Sequence, residues 1–403
     1  MTKVFFVMTR SVFLLLVMIA CLFINVFAQN DEDMIIYELD EHDGKVLTCK
    51  IGYNGQYLAS GGDDKRLLLW NLQSGELVKE YPEYYYDVND VQFSSDMNFL
   101  FGAGGRMVKM YETGGEYIKR FRGHSTFVWS IALTDDNAKM VTGAYGDKFF
   151  LWDVFEGELI KKIEGHDKSV LSVAISPDQK FMASGSLDRT IRIWDMETHE
   201  QVRTFQGNAG NIYDLVFTPD SRYLISAGQD NTLRIWDIEN EDLVRILQGH
   251  GEAVMSVSVH PDGKHALSGS WDKTIKLWNL TDGKCVYTYD LHDGLVNQVD
   301  FGPEGKIFAS AAEEEELFVW KVDPELYVDA YFYDQLKEEM ADNSLFDEKR
   351  DDEKNSEYKE RLEEQKEFKD MLYEKYFNQY KLLMKKTAII EDEQNQDAEI
   401  KID

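Results

Sequence analysis

Residues 166–195 read HDKSVLSVAISPDQKFMASGSLDRTIRIWD. Apolar side chains alternate through VLSVAI, FMASGS and IRIW, as half-buried strands require. Pro177-Asp178 and the polar LDRT at 187–190 separate these runs and read as turns. Another short run, EQVRTF at 200–205, follows Asp195. The stretch is therefore a unit of four short strands, with no helical period in it.

The unit recurs. Trp70, Tyr111, Trp152, Trp194, Trp236, Trp278 and Trp320 follow one another at intervals of 41 or 42 residues. A second ladder runs through His42, Tyr84, His124, His166, Asn208, His250 and His292. A third marks turns at Pro177, Pro219, Pro261 and Pro303. A fixed period of this length is the signature of stacked repeats. Seven four-stranded units fit a β-propeller, in which each small sheet buries its faces against its neighbours.

The period, the Gly-His before the first strand, the Pro-Asp turn and the Trp-Asp ending the third strand resemble WD40-repeat proteins, over about residues 34–322. The resemblance implies an all-β, seven-bladed propeller. MIIYELDEH (34–42) is similar to ELIKKIEGH (158–166), yet it precedes the first unit. The last unit has no fourth strand of its own before Pro324. Residues 34–39 are thus expected to supply the outer strand of the seventh blade, which removes an exposed edge.

The resemblance also implies a structural hydrogen-bonded chain in each blade. A buried indole has one donor, and a hydroxyl can receive it and pass the chain to imidazole and carboxylate. The pattern is met by His42, Ser60, Asp64 and Trp70, by His166, Ser184, Asp188 and Trp194, and by His250, Ser268, Asp272 and Trp278. Unit five has Asn208 beside Ser226, Asp230 and Trp236; unit seven has His292, Ser310 and Trp320 with Glu314 as its acid. Unit three keeps His124, Thr142 and Trp152 but has Gly146 in the acid place. Unit two has Tyr84, Gly102, Gly105 and Tyr111, and is expected to be the least rigid. A Ser/His/Asp set repeated at one spacing suits a scaffold and not a hydrolase, and no Ser sits in a GxSxG elbow. No enzyme activity, cofactor or metal is expected. His199 and His265 lie outside the ladders and read as exposed loop or strand residues.

Three places per blade reach the face used by the family for partners: the residue before the acid, and those three and five past the histidine. Large apolar members collect in blades three to six: Phe127, Trp129, Tyr145, Leu171, Leu187, Tyr213, Met255 and Trp271. Aromatic and Met clusters of this kind mark interaction sites. These eight are the expected contacts for a protein or peptide partner. An alternative places a calcium ion or an active site among Asp63, Asp87 and Glu313–Glu316 at the channel mouth.

The net charge of −31 argues against nucleic acid as partner, since phosphates would be repelled. At the N-terminus, Lys3 and Arg10 precede the apolar run SVFLLLVMIACLFINVFA, with Val26-Phe27-Ala28 before polar QNDED. Residues 1–28 therefore read as a secretory signal peptide, and the membrane is met only through it. An uncleaved anchor tethering the scaffold is the alternative. Export points to a bacterial periplasm or cell envelope, with a eukaryotic secretory lumen as the alternative. Cys49 and Cys285 read as separate thiols.

After Pro324 the chain lacks proline and glycine and is rich in Glu and Lys, so residues 323–390 are expected to be helical. One helix is expected over 326–340 and another from Ser356 to about Lys386, striped by Leu362, Phe368, Leu372, Tyr376, Tyr380 and Leu383. That stripe packs either on the propeller or on another chain. Residues 391–403 are expected to form a disordered acidic tail.

Overall fold

The computed structural model describes residues 31–82, 84–341, 343–346 and 355–399, with side chains of the last segment described over 357–383. The expected signal segment, 1–28, lies outside the described residues.

Strands Val46–Ile51, Tyr57–Gly62, Leu67–Asn71 and Leu77–Glu80 form an antiparallel sheet in chain order. The same order recurs in sheets spanning 88–122, 212–248 and 254–289. The strands of 128–164 and 170–205 repeat it and touch through one residue pair, Ala144 with Val170, as an eight-stranded sheet. The last sheet holds Val296–Phe301, Ile307–Ala312 and Leu317–Lys321, and its outer strand is the N-terminal Ile35–Leu39. Leu39 lies opposite Leu317 there.

Burial grades across each sheet. In Phe181–Ser186 every residue after Phe181 is buried, whereas outer Gln201–Phe205 buries only Phe205. The central strands are sandwiched between neighbouring sheets, so their residues are small where the sheets approach. Gly185 shows this: a Cβ there would stand 2.6 Å from Ile212 of the next sheet. Each sheet's first strand carries a bulge near its start, as at Val170/Ser172, which re-aims the intervening residue. The first strand of each sheet contacts the first strand of the next, and Val46–Ile51 also contacts Val296–Phe301.

Two helices follow, α1 (Glu325–Ala341) and α2 (Asn355–Glu399). The second starts one residue before Ser356 and runs past residue 391, where a disordered tail is expected. Its sequence there lacks Gly and Pro and consists of residues compatible with helix. Val328, Leu336 and Met340 of α1 pack on Leu372, Tyr373 and Tyr376 of α2. Leu326, Tyr327 and Tyr380 join the sheet core around Leu277, Tyr289, Phe308 and Trp320. The α2 stripe is thus covered by α1 and by the sheets. Leu362 and Leu383, expected in that stripe, are exposed instead. Both lie beyond the segment that α1 and the sheets cover.

Candidate interaction surface

The polar ladder residues meet as the repeat pattern implies. The Trp70 indole donates to Ser60 Oγ at 2.8 Å. Ser60 Oγ is 2.8 Å from His42 Nε2, and His42 Nδ1 is 2.8 Å from Asp64. With its lone pair taken by the indole, the hydroxyl donates to Nε2, so the Nδ1 proton goes to the carboxylate. The chain recurs at Trp194, Ser184, His166 and Asp188, and at Trp278, Ser268, His250 and Asp272, all at 2.7–2.9 Å. Burial lowers the His166 pKa, and Asp188 only partly offsets it. Burial works against the Asp188 carboxylate, yet bonds from Thr190 and His166 hold it down at about 2. Glu314 bonds His292, so the longer acid serves in its place, with Ser310 and Trp320 completing the set.

Three units depart from this. In the third, His124 bonds Thr142 at 2.7 Å and stacks on Phe150, with ring centroids 3.9 Å apart. Lacking a carboxylate partner, it is pushed down to about 4 by burial, with Lys162 adding to the effect. In the fifth, Asn208 does not bond Ser226; it donates to the Arg189 carbonyl at 3.4 Å. Trp236 keeps its bond to Ser226, and Arg234 pairs with Asp230 at 2.5 Å. Arg234 lies two residues before the ladder tryptophan, where the repeat pattern assigns no partner, so sequence comparison among units did not point to it. The second unit replaces the chain with an aromatic plug. Tyr84 is buried beside Tyr81 and Tyr111 and donates only to the Gly102 carbonyl, at 3.2 Å.

The chains fix the turns between second and third strands. One backbone bond recurs there: Tyr145 N to Phe127 O, Leu187 N to Ser169 O, Gln229 N to Asn211 O and Trp271 N to Ala253 O, each 2.9 Å. It sets the residue before the acid over the residue three past the histidine. Trp129 and Tyr145 pack edge-to-face with centroids 5.0 Å apart, and Tyr213 and Trp271 approach to 6.1 Å. Burial pushes the Tyr145 phenol up, and Tyr213 adds to the effect. Phe127 and Tyr145 are exposed and Trp271 is 36% exposed; Trp129, Leu187, Tyr213 and Met255 are half-buried. Leu171 differs from expectation: it is 3% exposed. It sits at the same bulge position as Trp129 and Tyr213, and its shorter side chain does not reach the surface. The added ring is Tyr86, edge-on to Phe127 at 5.3 Å.

Among the described residues, the acids proposed for calcium form no three-ligand cluster. Glu313 pairs with Lys45 at 2.8 Å, and Glu314 is engaged by His292 and by the Asp293 and Gly294 amides.

Below that face, acids bridge adjacent first strands. Asp90 accepts from Ile131 N at 2.6 Å, Asp214 from Val257 N at 2.9 Å, and Asp300 from Ile51 N at 2.8 Å and Lys50 Nζ at 2.7 Å. Ser130, Ser256 and Ser258 receive similar amide bonds from Val173, Val299 and Phe301. Burial pushes Asp90 up to about 7 and Asp214 up to about 6. Burial also raises Asp300, against the opposing pull of Lys50. These bridges join different units, so reading one repeat at a time did not disclose them.

His265 is also a correction. Its ring is buried, not exposed, because α2 lies over it: Nε2 is 2.5 Å from the Tyr380 hydroxyl.

A profile of the WD domain, G-beta repeat, matches residues 34–71, 115–153, 157–195, 199–237, 241–279 and 283–321. The chain belongs to the WD40 family. The residues between the first two matches include the plugged unit, where the WD40 polar chain is absent. The chain is similar to the WD repeat domain-containing protein 83 homolog of Dictyostelium discoideum, 26% identical over 29% of this chain and 36% of that one. It is similar to the U5 small nuclear ribonucleoprotein 40 kDa protein of the same organism, 30% identical over 28% of this chain and 33% of that one. It also resembles the 77 kDa echinoderm microtubule-associated protein of Lytechinus variegatus, 26% identical over 28% of this chain and 18% of that one. The chain thus spans at most 36% of the length of these relatives. WD40 proteins typically serve as protein-interaction scaffolds.

Proposed function

We propose that the chain is a non-enzymatic docking platform. Its sheets form a closed seven-bladed propeller that holds a protein or peptide partner on the aromatic face of blades three to six. Closure is supported by bonds between the first and last units: Val46 N to Glu314 O at 3.2 Å, Asn297 to Val46 O at 3.0 Å, and the Lys50–Asp300 pair. One observation carries the docking reading: in two units an aromatic ring at the first-strand bulge packs on an aromatic turn residue, Trp129 on Tyr145 and Tyr213 on Trp271, and all four are partly open to solvent. Large rings held on a rigid frame lose little entropy on binding and are typical anchors.

The N-terminal segment supports export across a membrane. Among the described residues no helix is long and apolar enough to cross a membrane. The relatives named above come from eukaryotes, which favours a secretory lumen over a bacterial envelope. Sequencing the N-terminus of protein purified from its native cell tests this; a chain beginning at Met1 or Met8 refutes cleavage.

The docking test is a Trp129→Ala/Trp271→Ala double variant. Crosslinking in the native compartment identifies the partner, and its affinity is then measured for both forms. A loss of roughly 2–4 kcal/mol is expected for two anchors. Unchanged affinity in a folded double variant refutes the assignment.

A further inference from the structure

The turn that enters strand His265–Ser270 brings His260, Asp262 and His265 to one point. We infer that these three side chains bind one divalent ion of the zinc class. Two backbone bonds tighten the turn: Gly263 N to His260 O and His260 N to His265 O, each 2.9 Å. Gly263 makes this possible at φ 69°, in the left-handed region.

Asp262 stands between the two rings. One carboxylate oxygen is 3.0 Å from His260 Nδ1, and the other is 2.7 Å from His265 Nδ1. One ligand atom from each of the three residues lies within 4.8 Å of the others. Ligand atoms each about 2.1 Å from a tetrahedral ion stand about 3.4 Å apart. Small side-chain rotations therefore suffice to admit the ion. Two imidazoles and a carboxylate form a nitrogen-oxygen set suited to zinc.

The surroundings add two further features. Ligand histidines are normally oriented by a partner on the other ring nitrogen. The Tyr380 hydroxyl occupies that place on His265, at Nε2. A cleft of 380 Å³ opens beside the cluster and leaves room for water in the remaining coordination positions. Lys264, Lys306 and Lys381 also line the cleft, and their charge opposes a cation. Lys306 is neutralised by Glu304 at 2.7 Å. An ion held here would fix the His265 tautomer with Nε2–H donating to Tyr380, and so fasten α2 to the sheet.

The test uses the full mature chain, free of tag histidines and stripped with EDTA. Zinc chloride is titrated by calorimetry, and cobalt chloride by visible absorption. One equivalent per chain, tetrahedral cobalt bands and a raised melting temperature are expected. His260→Ala and Asp262→Asn, each folded by circular dichroism, should lose the bands. Tyr380→Phe keeps the ring and should weaken binding roughly 10–100-fold. Absence of saturable binding to the wild-type chain overturns the inference on its own, whether or not a variant folds. So does equal binding by His260→Ala.

Discussion

The second and fourth units occupy equivalent places in the repeat and solve one packing problem in two ways. In the fourth, Trp194, Ser184, His166 and Asp188 form a polar chain with every proton assigned. In the second, Tyr84 takes the histidine place and its ring fills the space of the histidine and serine, with Tyr111 in the place of the tryptophan. Gly102 stands where Ser184 stands, and a Cβ there would lie 2.5 Å from the Tyr84 hydroxyl. Gly104 also lies against the ring: a Cβ there would stand 2.4 Å from a Tyr84 ring carbon. Lys109 lies over the same ring, 3.9 Å from its centroid. The unit is therefore filled and not empty. What the architecture demands is a filled wedge; the chemistry that fills it can change, and the second unit leaves the buried Tyr111 hydroxyl without a partner.

The sharpest break of this comparison is at the indole. Trp194→Ala should cost about 3–5 kcal/mol in urea unfolding, the usual loss for a large buried side chain. Next, Ser184→Ala leaves the Trp194 N–H and the His166 Nε2 without partners, and should cost about 1–3 kcal/mol. Smaller still, Tyr84→Phe removes one long bond and keeps the ring, so about 0.5–1.5 kcal/mol is expected from the same measurement. Equal losses for these last two would mean that the second unit relies on polar contacts after all.

A further effect is a pH slope. Asp90 and Asp214 titrate near 7 and 6 in the fold, above the ordinary carboxylate value of 3.8. A raised folded-state pKa means that the folded chain binds protons more tightly than the unfolded one. Their contribution is complete below about pH 4 and declines as pH rises to about 7, by at most about 1.4 kcal/mol per pH unit for each group. Asp90→Asn should flatten stability against pH over that window. A steeper slope in the variant would reverse the assigned sign.

Much of the fold is legible in the residues. The ladder from Trp70 to Trp320 repeats a local pattern, and strand alternation, turns and the indole-hydroxyl-imidazole sets are all local consequences of it. Contacts between units are not local. The amide bonds to Asp90, Asp214 and Asp300 join residues about one repeat apart, or the two ends of the chain, and one repeat read alone carries no sign of them. Arg234 pairs with Asp230 in place of a histidine, through a side chain from another ladder position. Leu171 was legible as a turn-face position but not as a short side chain between larger rings. His265 looked exposed because nothing in its own strand announces a helix arriving more than a hundred residues later, at Tyr380.

The pairing of Ile35–Leu39 with Leu317–Lys321 has a temporal consequence. A ribosome makes the first of these strands long before the second exists. Until the final repeat emerges, two sheet edges stay bare and prone to join the wrong neighbour. Completion is therefore a late event, limited by the closing of a very long loop. A truncated product that stops before Leu317 should be handed to chaperones or proteases, since its opening strand has nothing to join.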